Sequence, residues 1–181
     1  MEPIEERIRK LLAEIREQVG YDRAEPLEKG FSDARKFVLY QADTPVYLLR
    51  IHEGSMYFRQ RMEFELLRKH EANQVHCSKP LVAELVGHLD LCYLLLSYIP
   101  GVSGDEVLPG LAPEAQLQQG TAAGKELRKI HQVTPEVPPY TLGGAACRKI
   151  QAEKGEGSGI GPSLLSAERF GEIHRRQPGL A

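Results

Sequence analysis

The amino-acid sequence predicts an α+β fold in which helices pack on a five-stranded antiparallel sheet. Three short strand-like runs follow one another closely between residues 24 and 51, and two more apolar runs follow an intervening helical pattern. Strands joined in series by tight turns pair as antiparallel neighbours. The sequence therefore predicts a meander of three strands, then a helix, then two further strands.

A helix is predicted before the sheet, over residues 3–18. Its apolar residues recur at helical spacing, at Ile4, Ile8, Leu11, Leu12 and Ile15, and Gly20 is a stop signal. The segment lacks the apolar core of a signal peptide. The longest apolar run of the chain, LCYLLLSYI, is too short to span a bilayer as a helix. We therefore expect a cytoplasmic protein with no membrane partner.

The later elements are separated by turn and breaker residues. Gly-Phe-Ser-Asp at 30–33 separates the first strand from the second, and QADTP separates the second from the third. A helix is expected over residues 55–74, followed by the strands KPLVAELVG and LCYLLLSYI and a break at Pro100-Gly101. Pro113 then opens a second long helix, because proline suits the first turn of a helix.

The composition changes beyond about Pro135. Glycine, proline and isolated charges dominate there, and the apolar residues keep no clear period. We expect residues 136–181 to be a poorly ordered or aberrant tail, with a short helix at 164–174.

The totals exclude several classes of function. A net charge of −2 gives no basic field for nucleic acid. Cys77, Cys92 and Cys147 form no CxxC pair, which indicates free thiols. The six histidines show no HExxH motif or paired Cys/His spacing, so no metal site is expected. Neither a G-x-S-x-G motif nor a Rossmann glycine motif occurs between a predicted strand and a predicted helix, where those motifs function. An enzyme or small-molecule binder fits these totals.

Arg50 is the unexpected residue of the third strand, PVYLLRI. Val46, Leu48 and Arg50 share one face of that strand because side chains alternate. Both faces are mostly apolar, so the strand is expected to be covered on both sides. An unpaired buried charge is unfavourable, and Arg50 therefore needs a partner.

The following helix offers two glutamates, and helical phase selects one. At about 100° per residue, Glu63 falls inside the apolar arc that runs from Met62 to Leu67. Glu65 falls among basic residues on the solvated face. We predict an ion pair between Arg50 and Glu63. It fits two interpretations: a salt bridge that only holds strand and helix together, or a phosphate-binding cation oriented by a carboxylate, as in protein kinases.

The order of these elements resembles the N-terminal lobe of the kinase-like aminoglycoside phosphotransferase family. The matching pieces cover roughly residues 20 to 135, in the family's order: GFSDARKFVLY, PVYLLRIHEG, MEFELLRKHEANQVHCSKPLV, YLLLSYIPG and GKELRKIHQV. The resemblance implies a protein-kinase-like N-lobe over residues 20–99, preceded by an N-terminal helix at 1–19. It also implies a hinge and the first helix of an incomplete helical C-lobe over residues 100–135.

The resemblance assigns roles residue by residue. Gly30, Phe31 and Ser32 match the loop that covers the nucleotide phosphates, although a single glycine also suits a plain hairpin turn. Arg50 matches the phosphate cation and Glu63 its orienting partner. The hinge, whose backbone would hydrogen-bond adenine, is matched by Ser97, Tyr98 and Ile99. The implied reaction is transfer of the ATP γ-phosphoryl group to a small-molecule hydroxyl, with Mg as a second cofactor.

The catalytic part of the family pattern is missing from this sequence. The template is an H-x-D-x-x-x-x-N loop followed by a second Asp, whereas here no Asp follows Asp105 and the single Asn is Asn73. We therefore assign no catalytic residue and no metal ligand, and we leave the enzymatic activity of this chain open.

Three hypotheses follow from the missing loop. The favoured one is a truncated phosphotransferase, which sequencing of the encoding DNA past the stop would test. The second is a non-catalytic nucleotide-binding or regulatory module. The third is a structural or interaction domain that shares only the fold.

Overall fold

A computed structural model of the chain describes residues 2–29 and 32–134. The predictions for Gly30, Phe31, Cys147 and residues 136–181, including the helix at 164–174, lie outside the described residues. The described part contains a five-stranded antiparallel sheet with strand order β1-β2-β3-β5-β4. The predicted α+β fold with a kinase-like N-lobe is confirmed.

The sheet is built from the five predicted strands. They are β1 Arg23–Pro26, β2 Arg35–Gln41, β3 Thr44–Glu53, β4 Pro80–Val86 and β5 Leu91–Ser97. The first three form the predicted meander, and β5 then pairs with the free side of β3. Strand β3 is therefore the central strand. Both faces of β3 are covered, so a charge placed in it has few routes to water.

Within residues 2–29 and 32–134, four α-helices surround or follow the sheet: α1 Ile4–Val19, α2 Tyr57–Ala72, α3 Gly104–Val107 and α4 Pro113–His131. Helix α1 ends at Gly20, which adopts the left-handed conformation (φ 70°) and donates its N–H to Arg16 O. Glycine tolerates that conformation without a Cβ clash, which explains the predicted stop. Helix α2 starts two residues later than expected because Gly54–Met56 forms a 3₁₀ turn.

The core lies on the two faces of the sheet. On one face, Phe64 of α2 packs with Leu94 and Leu96 of β5, and Leu48 and Leu67 lie against them. The alternate residues of β3 (Tyr47, Leu49 and Ile51) point to the opposite face and are at most 1% exposed. The buried residues of α1, which include Leu11 and Ile15, cover that second face.

Helix α1 is fixed to the sheet by a buried arginine. Arg7 is 8% exposed, and its guanidinium donates to the Glu53 carboxylate at 3.2 Å and to Leu89 O at 3.0 Å. Glu53 ends β3, and Leu89 lies in the turn before β5. The N-terminal helix is therefore an integral part of the lobe.

Helix α4 contacts the lobe through the loop between α2 and β4. Asn73 Nδ2 donates to Lys129 O at 2.8 Å, and Lys129 Nζ donates to Gln74 O at 2.9 Å. The His76 N–H donates to Glu126 at 2.9 Å. No residue of α4 is buried, whereas every strand of the sheet from β2 to β5 has buried residues. Helix α4 is therefore connected to the lobe mainly by polar contacts and buries little apolar surface against it.

Candidate nucleotide-phosphate site

The structure joins Arg50 and Glu63 as predicted. Arg50 Nη1 donates to Glu63 Oε1, and the two side chains are 20% and 37% exposed. Strand β3 supplies the cation, and α2 supplies the carboxylate nearly two turns after its start. Glu65 points elsewhere and pairs with Arg61 at 2.7 Å on the same helix. The choice of Glu63 over Glu65 by helical phase is therefore confirmed.

The buried face of α2 is rotated about the helix axis relative to the apolar arc that the sequence predicted as the inward face. The buried residues of α2 are Gln60 and Phe64, which fall about 160° and 200° from Met62. Met62 itself is only half-buried. Glu63 therefore lies on the edge of the buried face instead of its middle, where its carboxylate reaches Arg50 and still contacts solvent.

Gln60 supports the strand beneath Arg50. Its side chain is 3% exposed, and Nε2 donates to the Arg50 main-chain oxygen at 3.3 Å. This residue was not predicted from the sequence. The available signal was its spacing: Gln60 precedes Glu63 by one helical turn, so the two share a face.

A cavity of about 680 Å³ opens beside the ion pair. Arg50, Glu63 and Ser32 line it, and so do His52 and Gln60. The structure thus brings together three of the predicted site residues at one end of the sheet. It leaves Ser97, Tyr98 and Ile99 outside this cavity.

His52 lies on the same face of β3 as Arg50 and was also missed. Burial, followed by the positive charge of Arg50, lowers the pKa of His52 below its ordinary value of 6.5. A neutral imidazole beside Arg50 fits this environment. The period of two along a strand could have identified it, since His52 follows Arg50 by two residues.

The residues predicted as the hinge lie at the other end of the same strand pairing. Ser97 pairs with Tyr47, and Leu94 pairs with Arg50, so the hinge is about 10 Å from Arg50 along the sheet. The N–H of Ser97 donates to Lys79 O at 2.9 Å, and that of Tyr98 donates to Val46 O at 3.0 Å. Within the described residues the Ile99 N–H has no backbone acceptor, and its side chain is 54% exposed.

The arrangement of possible metal ligands is the next feature of the described residues. Among residues 2–29 and 32–134, no group of three or more His, Cys, Asp or Glu side chains is arranged to hold a metal ion. The described residues therefore do not fit a magnesium site by themselves.

Two of the three thiols lie in the described residues. Cys77 and Cys92 are free, and burial raises the pKa of the Cys92 thiol to about 12. A thiol with so high a pKa is a poor nucleophile. None of the helices in the described ranges combines the length and the hydropathy needed to cross a bilayer.

Comparison with known proteins identifies a family. The model of a family described as the phosphotransferase enzyme family, APH, matches residues 23–176. The matched range starts at β1 and extends over most of residues 136–181, the segment that the composition predicts to be a tail. None of the curated proteins matched the sequence. Because the family model covers most of the chain and its fold is the one described above, this protein belongs to the aminoglycoside phosphotransferase family of phosphotransferase enzymes.

Proposed function

We propose that the chain forms the nucleotide-binding part of an ATP-dependent phosphotransferase, which transfers the γ-phosphoryl group of ATP to the hydroxyl of a small molecule. The observation that carries this proposal is the Arg50–Glu63 ion pair between β3 and α2, in a chain of the phosphotransferase enzyme family. In protein kinases the corresponding strand cation contacts the phosphates and pairs with a helix glutamate.

The chemistry of the pair supports a phosphate role. Phosphoryl transfer depends on positioning and on stabilisation of phosphate charge. The planar guanidinium of Arg50 can donate two parallel hydrogen bonds to phosphate oxygens. Glu63 holds one end of that guanidinium, and Gln60 fixes the strand behind it. The cation is therefore positioned before any ligand arrives.

The hinge supplies a candidate contact for the base. The N–H groups of Ser97 and Tyr98 are occupied by the protein, whereas that of Ile99 has no backbone acceptor among the described residues. We assign Ile99 N–H as the hinge donor toward adenine. The extended strand between the hinge and Arg50 would then match the direction in which a nucleotide runs from base to phosphates.

A second candidate function is a nucleotide-binding module without catalysis. The observation that favours it is the sequence itself, in which no Asp follows Asp105 and no H-x-D-x-x-x-x-N loop occurs. A base for the acceptor hydroxyl and carboxylates for magnesium are both needed for the full reaction.

A thermal-shift titration of the full chain with Mg-ATP distinguishes the two candidate functions, which both require nucleotide binding, from a structural domain that binds no nucleotide. A free Mg-ATP concentration of about 100 times Kd would stabilise the folded protein by about 2.7 kcal/mol. Adenosine with the same magnesium concentration is the matched control. No shift at millimolar Mg-ATP would overturn the proposal.

ADP formation separates the two candidates. The full chain is incubated with Mg-ATP and a mixture of small hydroxyl compounds. Production of ADP above the rate for an Arg50→Met variant supports phosphotransfer. Binding of Mg-ATP without ADP production supports the non-catalytic module.

A further inference from the structure

Lys36 lies beside Arg50 on the sheet and has no role in the site described so far. The β2–β3 register pairs Lys36 directly with Arg50. Residues paired across antiparallel strands point to the same face, with Cβ atoms about 5 Å apart. Lys36 therefore points toward the face of the sheet that carries the Arg50–Glu63 ion pair.

This pairing is unfavourable in the protein alone. Like charges directly opposite one another destabilise a strand pair. Glu63 partners Arg50, whereas within the described residues Lys36 Nζ donates only to the main-chain oxygen of Lys29, at 2.9 Å. Among the described residues Lys36 makes no ion pair with a carboxylate. A carbonyl carries no formal charge, so the positive charge of Lys36 is not balanced.

The position of the ammonium group points to an anion. Lys29, whose main-chain oxygen accepts from Lys36 Nζ, precedes Ser32 by three residues in the sequence, and Ser32 lines the cavity. The charged side chains lining that cavity cancel: Arg35, Arg50 and Arg59 oppose Asp33, Glu53 and Glu63. Lys36, paired with Arg50 across the strands, adds a positive charge beside this neutral set.

We propose that Lys36 is a second phosphate-binding cation, which contacts the nucleotide's polyphosphate from β2 while Arg50 contacts it from β3. This inference rests on the proposed nucleotide-binding function. It specifies the ligand class as a nucleoside di- or triphosphate, because a nucleoside without phosphates gives Lys36 nothing to neutralise. Binding moves Lys36 Nζ from Lys29 O to a phosphate oxygen.

The test compares Lys36→Met with Lys36→Arg in the full chain, using calorimetric titrations with Mg-ATP, Mg-ADP and adenosine. Lys36→Met is expected to weaken ATP and ADP binding about tenfold, since it removes one charge-assisted hydrogen bond. Adenosine binding is expected to stay unchanged, and Lys36→Arg is expected to retain ATP binding. Lys125→Met, which removes a charge from exposed α4, is the matched control and should match the wild type.

The melting temperature of the ligand-free variants is a second readout. Loss of the like-charge contact should leave it within about 3 °C of the wild type or higher, so weaker ATP binding would not reflect unfolding.

Three results would overturn the inference. If Lys36→Met binds ATP as the wild type does while Arg50→Met does not, the nucleotide site stands and Lys36 is not part of it. If Lys36→Met weakens adenosine binding as much as ATP binding, Lys36 shapes the site as a whole and does not bind phosphate. If the wild type binds no ATP, the proposed function fails and this inference fails with it.

Discussion

At the scale of single residues, the central feature is a pair of charges placed where the sheet leaves little access to water. Arg50 alone on β3 would be an uncompensated, mostly buried cation, which is strongly unfavourable. Glu63 compensates it from the edge of the buried face of α2 and retains some solvent contact. The pair therefore orients a cation toward the cavity without leaving a charge unpaired.

Glu63→Gln should destabilise the lobe by about 1–2 kcal/mol because Arg50 loses its counter-charge in a partly buried position. Glu65→Gln on the same helix should change the free energy of unfolding by less than about 0.5 kcal/mol, since its pair with Arg61 is exposed. Urea unfolding of the two variants measures the difference. Equal losses of unfolding free energy in the two variants would contradict the role of Glu63 as the counter-charge of a partly buried Arg50.

Arg7 gives a second prediction at this scale. Arg7→Met should lower the free energy of unfolding by about 2–3 kcal/mol, because Glu53 and two main-chain oxygens lose their donor. Arg9→Met is the matched control, since Arg9 is exposed and pairs only with Glu6 within α1. Urea unfolding again provides the comparison. A small effect of Arg7→Met would contradict the anchoring of α1 to the sheet.

At the scale of elements, the contact between α4 and the α2–β4 loop depends on one carboxylate. Glu126 accepts from the His76 N–H and from Lys129 Nζ. The His76 main-chain donor, followed by Lys129, lowers the pKa of Glu126 from 4.5 to about 2. Because the folded-state pKa is below the ordinary value, this stabilisation is complete above pH 4.5 and is lost as the pH falls toward 2.

Amide hydrogen exchange at His76 checks this pH dependence. Exchange should be slow at neutral pH in the wild type and faster in Glu126→Gln, relative to the intrinsic rate at the same pH. As the pH falls from 4.5 toward 2, the wild type should lose its protection. Glu114→Gln, at the other end of α4, is the control. Equal protection in Glu126→Gln and the wild type would show that the contact does not hold the loop.

Most elements could be predicted from the sequence because each has a local cause. The period of two in β3, the helical spacing in α1 and the glycine after α1 are properties of short stretches. The start of α2 and the direction of its buried face were harder to predict from the sequence. Both depend on how Gly54–Met56 turns the chain beside the residue that precedes β5, where the Gly54 N–H donates to Asp90 O at 2.9 Å. That contact joins residues distant in sequence.

At the scale of the whole molecule, the described core is concentrated in the sheet and the two helices that cover it. Large apolar side chains after the hinge remain exposed, among them Val102 at 70% and Leu117 at 73%. The stability of the described residues therefore comes mainly from the lobe that contains Arg50. A variant of α4 should change the unfolding free energy less than a variant of the β3 core.

The candidate site could be predicted only in part from the sequence. The partnership of Arg50 and Glu63 followed from strand alternation and helical phase, which are local patterns. The roles of Gln60 and Lys36 depend on which residues oppose Arg50 in space. Strand register and helix placement decide that, and neither can be read from one segment alone.

The most direct test of the account is the affinity of Arg50→Met for Mg-ATP, compared with Arg68→Met on the exposed side of α2. Calorimetric titration of the full chain should show at least about a tenfold loss for Arg50→Met, since a charged hydrogen-bond donor to phosphate is removed, and no loss for Arg68→Met. If Arg50→Met binds Mg-ATP as the wild type does and only its melting temperature falls, the ion pair holds strand to helix and the nucleotide-phosphate site is contradicted.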